Sequence, residues 1–148
     1  RLSSAGTGRR HSYCGNVNGG IGWGIAAAVG IQLALPQRRV VAVLGDGSSM
    51  YSIQALWSAA HYRAPVVFLI ANNGGYRIIK QRLKSFHGNE KFIGMDFKDP
   101  PIDMAALARS MGLAASRVAT AAEFDAAFAD ALRAEGPVVI EAMVEAGV

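Results

Sequence analysis

Two apolar runs constrain this chain more than any other feature, because each ends in a side-chain oxygen flanked by glycine. Val40-Val41-Ala42-Val43-Leu44 leads into Gly45-Asp46-Gly47-Ser48, and Pro65-Val66-Val67-Phe68-Leu69-Ile70-Ala71 leads into Asn72-Asn73-Gly74-Gly75-Tyr76. Apolar runs without polar alternation mark strands buried on both faces, as in parallel sheets. Between them, Ser52 to Tyr62 carries Ile53, Leu56, Trp57 and Ala60 at helical spacing. That stripe packs on the sheet, with Trp57 in the core and His61 as a surface cap at the helix end. Strand, helix, strand is a crossover unit, which lays two strands in parallel and brings their carboxyl ends together. Asp46 and Asn73 then face one another just beyond the sheet edge, where open α/β sheets bind ligands. On spacing alone, an ordinary Asp-Gly turn at Asp46 stays open as the alternative.

A carboxylate at Asp46, a carboxamide oxygen at Asn73 and a backbone carbonyl at Gly75 are hard oxygen donors of the kind Mg²⁺ or Ca²⁺ selects. They make half a shell, and Mg²⁺ commonly completes its shell with water and ligand phosphate oxygens, so a diphosphate fits the remainder. Gly47, Ser48 and Ser49 offer backbone N–H groups and hydroxyls where a helix begins, which suits an anion. Other cofactor signatures fail. Gly45-Asp46-Gly47-Ser48-Ser49 is followed by Met50, not the third glycine of a dinucleotide fingerprint, and no Gly-Lys-Ser/Thr of a P-loop occurs. Neither a cysteine cluster nor paired histidines suggest zinc.

Gly45-Asp46-Gly47 followed at a distance by Asn72-Asn73 resembles the metal and diphosphate motif of the thiamine diphosphate enzymes. Asp46-Gly47-Ser48, Tyr51-Ser52-Ile53, Ala55-Leu56-Trp57, Ala59-Ala60, Tyr62 and Asn72-Asn73-Gly74 look like the benzoylformate decarboxylase branch of that family. Gly19-Gly20-Ile21-Gly22 and Ile31-Gln32-Leu33-Ala34 upstream, and Ile102-Asp103 and Gly136-Pro137-Val138-Val139-Ile140-Glu141 downstream, extend the likeness to nearly the whole chain.

The resemblance implies a thiamine diphosphate-binding fold over residues 19–148, the C-terminal cofactor-binding domain, preceded by a residual linker or loop over 1–18. It implies thiamine diphosphate with Mg²⁺ or Ca²⁺ as cofactors and Asp46, Asn73 and Gly75 as metal ligands. Cofactor contacts would come from Gly19, Gly20, Ile21, Asp46, Gly47, Ser48, Tyr51, Asn73, Gly75 and Tyr76. Within that set the Gly19 carbonyl would accept from the exocyclic amine of the aminopyrimidine, the Ile21 N–H would donate to a ring nitrogen, and the Ile21 side chain would support the bent cofactor. Ile78 and Ile79 match positions facing the substrate, although core positions remain the alternative. The implied chemistry is decarboxylation of a 2-keto acid on the thiazolium ring, with the electron pair stored by the cofactor. The glutamate that activates the aminopyrimidine belongs to a separate N-terminal domain, and no glutamate here matches it. The chain alone is therefore expected to be inactive, its N-terminal and middle domains lying elsewhere. The alternatives are an acetolactate synthase-like carboligase and a non-catalytic cofactor-binding or scaffold domain. The family also implies a homo-oligomer, dimer or homotetramer, with sites shared between subunits.

The chain has 148 residues, enough for one domain with a real core, and 51% are hydrophobic, which argues against disorder. Its first residue is Arg1, taken as a sign of a longer parent. No secretory signal or membrane span is expected, since the longest apolar stretch, Ile21 to Leu35, is short and rich in Gly and Ala. A single cysteine, Cys14, fits a reducing, cytoplasmic setting. The net charge is +4, with Arg77, Lys80, Arg82 and Lys84 close together. Without a nucleic-acid motif they read as a solvated helix face, so neither a nucleic-acid nor a membrane partner is expected; the partner that the resemblance implies is a small-molecule 2-keto acid.

Elsewhere, Gly19 to Leu35 reads as a Gly- and Ala-rich helix ended near Pro36, and Tyr76 to Leu83 begins another. Leu83 to Pro101 has no period and reads as a long connection, a lid beside the site or a mobile surface loop. Asp103 to Met111 is a helix and Leu113 to Val118 holds a short strand. Thr120 to Glu135 is a helix with a Thr cap, Glu123 three residues on, and a buried stripe of Phe124, Phe128, Ala131 and Leu132. Gly136-Pro137 ends it before a last strand, Val138 to Val144. Strands alternating with helices predict a doubly wound, mainly parallel α/β sheet with helices on both faces.

Overall fold

The computed structural model describes residues 13–16 and 19–146, so most of the linker expected over 1–18 lies outside the described residues. Four strands, β1 (Val41–Gly45), β2 (Val67–Asn72), β3 (Ala114–Val118) and β4 (Val138–Met143), form one sheet in the order β1-β2-β4-β3. Every pairing is parallel. The helices are α1 (Gly24–Ala34), α2 (Asp46–Ser49), α3 (Ala55–His61), α4 (Arg77–His87), α5 (Met104–Ser110) and α6 (Ala121–Arg133).

Helices lie on both faces of the sheet, as the alternating pattern predicts. On one face Ile25, Ala28 and Val29 of α1, Leu56 and Ala59 of α3, and Met104 and Ala108 of α5 pack against Phe68, Ile70 and Val139. On the other, Phe124, Phe128 and Ala131 of α6 pack on Val67, Val118 and Ile140. Connections that advance across the sheet carry α3 and α5 on the first face, and the return from β3 to β4 carries α6 on the second, as a constant crossover hand requires.

β2 is the interior strand that its unbroken apolar run predicts, with Val67, Phe68 and Ile70 fully buried. β1 differs from expectation. Among the described residues it is an edge strand, with Val41 40% and Val43 74% exposed. Ala42 and Leu44 pack on the α1 side, but α6 lies over β3 and β4 and does not reach the opposite face of β1.

Local chemistry sets the element ends. Helix α1 starts at Gly24 rather than Gly19, because Gly19 and Gly22 hold φ of 70° and 94°, values that interrupt a right-handed helix. At its far end the buried Gln32 bonds the turn to the strand that follows: its Nε2 donates to the Arg38 carbonyl at 2.8 Å, and its Oε1 accepts from Val40 N–H at 3.0 Å. Helix α6 carries the expected capping box, in which Thr120 Oγ1 accepts from Glu123 N–H and the Glu123 carboxylate accepts from Thr120 N–H. The backbone N–H groups of Ala119 and Thr120, with the Thr120 hydroxyl, hold the Glu123 carboxyl below its ordinary range.

Three side-chain expectations are corrected. Trp57 is 57% exposed and stacks on His61 with ring centroids 4.9 Å apart, because α3 turns only Leu56 and Ala59 fully inward. Leu132 is exposed at the margin of the α6 stripe. Lys80 is buried, not on a solvated face: its ammonium lies 2.5 Å from Asp96, and its hydrogen bond holds that carboxyl below its ordinary range.

Candidate functional site: the oxygen cluster at the ends of β1 and β2

The register pairs Gly45 with Ala71, so Asp46 and the Asn72–Gly75 turn emerge side by side from adjacent parallel strands. Asp46 is 1% exposed, and its Oδ2 accepts from Gly75 N–H at 3.0 Å. Asn73 Oδ1 accepts from the same N–H at 3.1 Å. Two side-chain oxygens from different strands thus converge on one donor. The Gly75 carbonyl oxygen stands 3.6 Å from the place a Cβ would take on Gly47, so it faces the Asp46-Gly47 turn. The juxtaposition of Asp46 with Asn73 expected from the crossover unit is present. Burial pushes the Asp46 carboxyl above its ordinary pKa against the opposing pull of backbone N–H groups from Gly47, Gly75 and Gly74.

The glycines here are steric requirements. Gly74 holds φ of 73°. A Cβ on Gly75 would lie 2.3 Å from the Met95 carbonyl oxygen, and one on Gly47 would lie 2.7 Å from the Tyr76 ring. Backbone must approach backbone at Gly75, and no side chain fits between.

The connection after α4 is fastened to this turn. Tyr76 N–H donates to the Met95 carbonyl at 2.9 Å, Phe97 N–H donates to the Gly74 carbonyl at 2.8 Å, and Gly75 bridges Asp96 in antiparallel fashion. The Lys80–Asp96 ion pair ties the same connection to α4. The helix itself runs to His87, four residues beyond the expected Leu83, and ends where Gly88 takes a φ of 58°. Sequence reasoning missed these anchors, because Asp96 and Met95 sit in a stretch without period.

Ser48, Tyr51 and Tyr76 surround Asp46 in different ways. Ser48 Oγ accepts from Gly22 N–H at 3.0 Å, linking the turn before α1 to the site. Ser49, expected to face an anion, instead donates its hydroxyl to the Gly45 carbonyl at 2.8 Å and is buried. Tyr51 is 58% exposed and meets Tyr76 edge to face at 6.3 Å, and Tyr76 meets Phe97 at 4.9 Å. Burial and the nearby Tyr51 push the Tyr76 phenol up. Gly19, Gly20 and Ile21 are exposed in the turn before α1, where Asn16 Nδ2 donates to the Gly20 carbonyl. Ile78 and Ile79 on the first turn of α4 are 56% and 37% exposed, so they are not core. A cavity of about 620 Å³ lies between α1 and the open edge of β1; Ser48 reaches it, but Asp46 and Asn73 do not line it.

One carboxylate, one carboxamide oxygen and one backbone carbonyl form a donor set suited to a hard divalent cation. Among the described residues, no group of three or more His, Cys, Asp or Glu side chains forms a competing metal cluster. Residues 4–142 match the thiamine pyrophosphate enzyme C-terminal TPP-binding domain. The chain belongs to that family. It is 45% identical over 131 residues to benzoylformate decarboxylase of Pseudomonas aeruginosa, covering 88% of this chain and 24% of that protein. It is 39% identical over 143 residues to a putative acetolactate synthase large subunit of Mycobacterium tuberculosis, covering 90% of this chain and 27% of that protein. A solved structure of a thiamine diphosphate-dependent 4-hydroxybenzoylformate decarboxylase from Rhodococcus jostii superposes with a TM-score of 0.84 at 45% identity, over 90% of this chain and 25% of that one. The chain thus spans about a quarter of the length of the curated relatives it matches. The doubly wound fold predicted from sequence is the fold of these neighbours.

Proposed function

We propose that this chain is the diphosphate- and metal-holding part of a thiamine diphosphate-dependent 2-keto acid decarboxylase of the benzoylformate decarboxylase type. The observation that carries the reading is the convergence of Asp46 Oδ2 and Asn73 Oδ1 on the Gly75 N–H. A Mg²⁺ ion, or Ca²⁺ in its place, would be held by the Asp46 carboxylate, the Asn73 carboxamide oxygen and the Gly75 carbonyl, with diphosphate oxygens completing its shell. Gly47 and Ser48 would meet the diphosphate, with Tyr51 and Tyr76 beside it, while Gly19, Gly20 and Ile21 would meet the aminopyrimidine. When bound, the cofactor supplies the electron sink for loss of carbon dioxide.

This chain's own work is binding and orientation: Asp46 would offset part of the metal's charge, Asn73 would help to place it, and the close approach at Gly75 fixes the carbonyl. The activating carboxylate comes from outside these residues, so the chain alone is inactive. Ile78 and Ile79, exposed on α4, would face substrate once other parts of the protein close over them. The whole protein is read as a cytoplasmic homo-oligomer, a dimer or homotetramer with shared sites. A carboligase of the acetolactate synthase kind is the second reading, favoured by the 39% identity to a putative synthase subunit. A scaffold domain that binds cofactor without turnover is the third.

Calorimetric titration of thiamine diphosphate with Mg²⁺ into the whole protein tests the site. Binding heat that is lost in Asp46→Ala, with the circular dichroism spectrum retained, is the expected result; equal heats from both proteins would overturn it. Product analysis with benzoylformate against pyruvate then separates decarboxylase from carboligase, and no turnover of either alongside intact binding selects the scaffold.

A further inference from the structure

Glu141 is a charged residue in the middle of an apolar strand, and it is fully buried. Burying a carboxylate is expensive unless its oxygens are satisfied, and here five donors converge on it. Oε1 accepts from Asn72 Nδ2 at 2.6 Å, from Arg117 Nη2 at 3.2 Å and from Met104 N–H at 3.4 Å. Oε2 accepts from Arg117 Nε at 2.9 Å and from Ala105 N–H at 3.1 Å. Glu141 on β4 therefore joins the end of β2, strand β3 and the first turn of α5, whose unpaired N–H groups favour a negative charge.

The contact with Asn72 reaches furthest toward the site. An ionised carboxylate only accepts, so the Asn72 amide nitrogen must face Glu141 and its oxygen must face away. That oxygen accepts from Gly74 N–H at 2.9 Å, at the residue with φ of 73°. Gly75 follows, with its N–H shared between Asp46 and Asn73. A neutral amide left to rotate would present its NH₂ to the Gly74 N–H in one of its two orientations, and the turn would lose its anchor.

We propose that Glu141 is a positioning residue for the Asn72–Gly75 turn, setting that turn against Asp46 through the Asn72 carboxamide. The role rests on the reading of Asp46, Asn73 and Gly75 as metal ligands, and it extends that site to an acid on a different strand. Arg117 serves the same carboxylate without touching Asn72, so it supports stability and not the turn.

Amide hydrogen exchange on the metal-free whole protein tests this, because it reads the turn without requiring any cofactor to bind. In Glu141→Leu, exchange at Gly74 and Gly75 is expected to accelerate at least tenfold more than at Phe68 in the core of β2. In Arg117→Met the three amides accelerate by the same factor. Asn72→Ala leaves the Glu141–Arg117 pair and the α5 contacts in place, and gives the selective tenfold loss at Gly74 and Gly75 even if Glu141→Leu does not fold. Uniform acceleration in Asn72→Ala, or a Glu141→Leu pattern that matches Arg117→Met, overturns the proposal. A selective loss together with absent Mg²⁺ binding would leave the turn-setting role standing and remove the metal reading.

Discussion

Asp46 and Glu141 are both buried acids, one at the end of β1 and one in the middle of β4, yet they are satisfied in opposite ways. Glu141 receives its counter-charge from the chain itself, through Arg117 at 2.9 Å, and has a side-chain amide besides. Asp46 is held by backbone N–H groups, and among the described residues no cationic side chain lies within ion-pair distance of it. Glu141 raises the Arg117 guanidinium pKa, as a matched pair does, whereas burial pushes the Asp46 carboxyl up. The contrast separates a carboxylate that completes a structure from one whose ionised form gains most from a cation brought from outside.

Replacing the matched acid breaks the comparison most severely. Glu141→Leu strands Arg117 and the amides of Asn72, Met104 and Ala105, and is expected to lower stability by about 3 kcal/mol in urea unfolding, toward the lower end because Arg117 is half exposed. Asp46→Asn is expected to move metal-free stability the other way, and by less. The raised folded pKa of Asp46 means that its contribution is fully present below its unfolded pKa and is lost as pH rises through the folded value. In the absence of divalent metal, melting curves across the acid range should show the wild type losing ground to Asp46→Asn as pH rises, and a parallel profile for the two proteins would refute the assignment. Thr120→Ala serves as the calibration: losing the α6 cap should cost about 1 kcal/mol, with Gly74 exchange changed no more than core exchange.

What the sequence made legible follows from how local each signal is. The capping box at Thr120 and Glu123 is confined to one turn, and the crossover unit that sets Asp46 beside Asn73 is confined to two strands and the helix between. Glu141 gave no local sign of its role, since its partners Asn72 and Arg117 lie far away in sequence and meet it only across the finished sheet. Its one visible signal was a charge inside the apolar run Val138-Val139-Ile140, which a buried strand tolerates only when paired. The start of α1 was misplaced because glycine is compatible with a helix start and with the left-handed turn that Gly19 and Gly22 adopt. β1 reads as doubly buried because its composition answers to both faces, while α6 covers the other end of the sheet. Lys80 looked solvated because helical spacing places it among basic neighbours, and only the return of Asp96 across α4 draws it inward.

The strand order has a further consequence, for the timing of folding during synthesis. β4 lies between β2 and β3 although it is made after both. Until residues 138–143 have left the ribosome, β2 has no neighbour on one side and β3 has none at all within the sheet. At about 5–20 residues per second, the apolar faces of β2 wait for several seconds as a natural target for chaperones. The last strand then closes the middle of the sheet and brings Glu141 to Asn72 in the same event, so the turn beside Asp46 is set only when the whole sheet is complete.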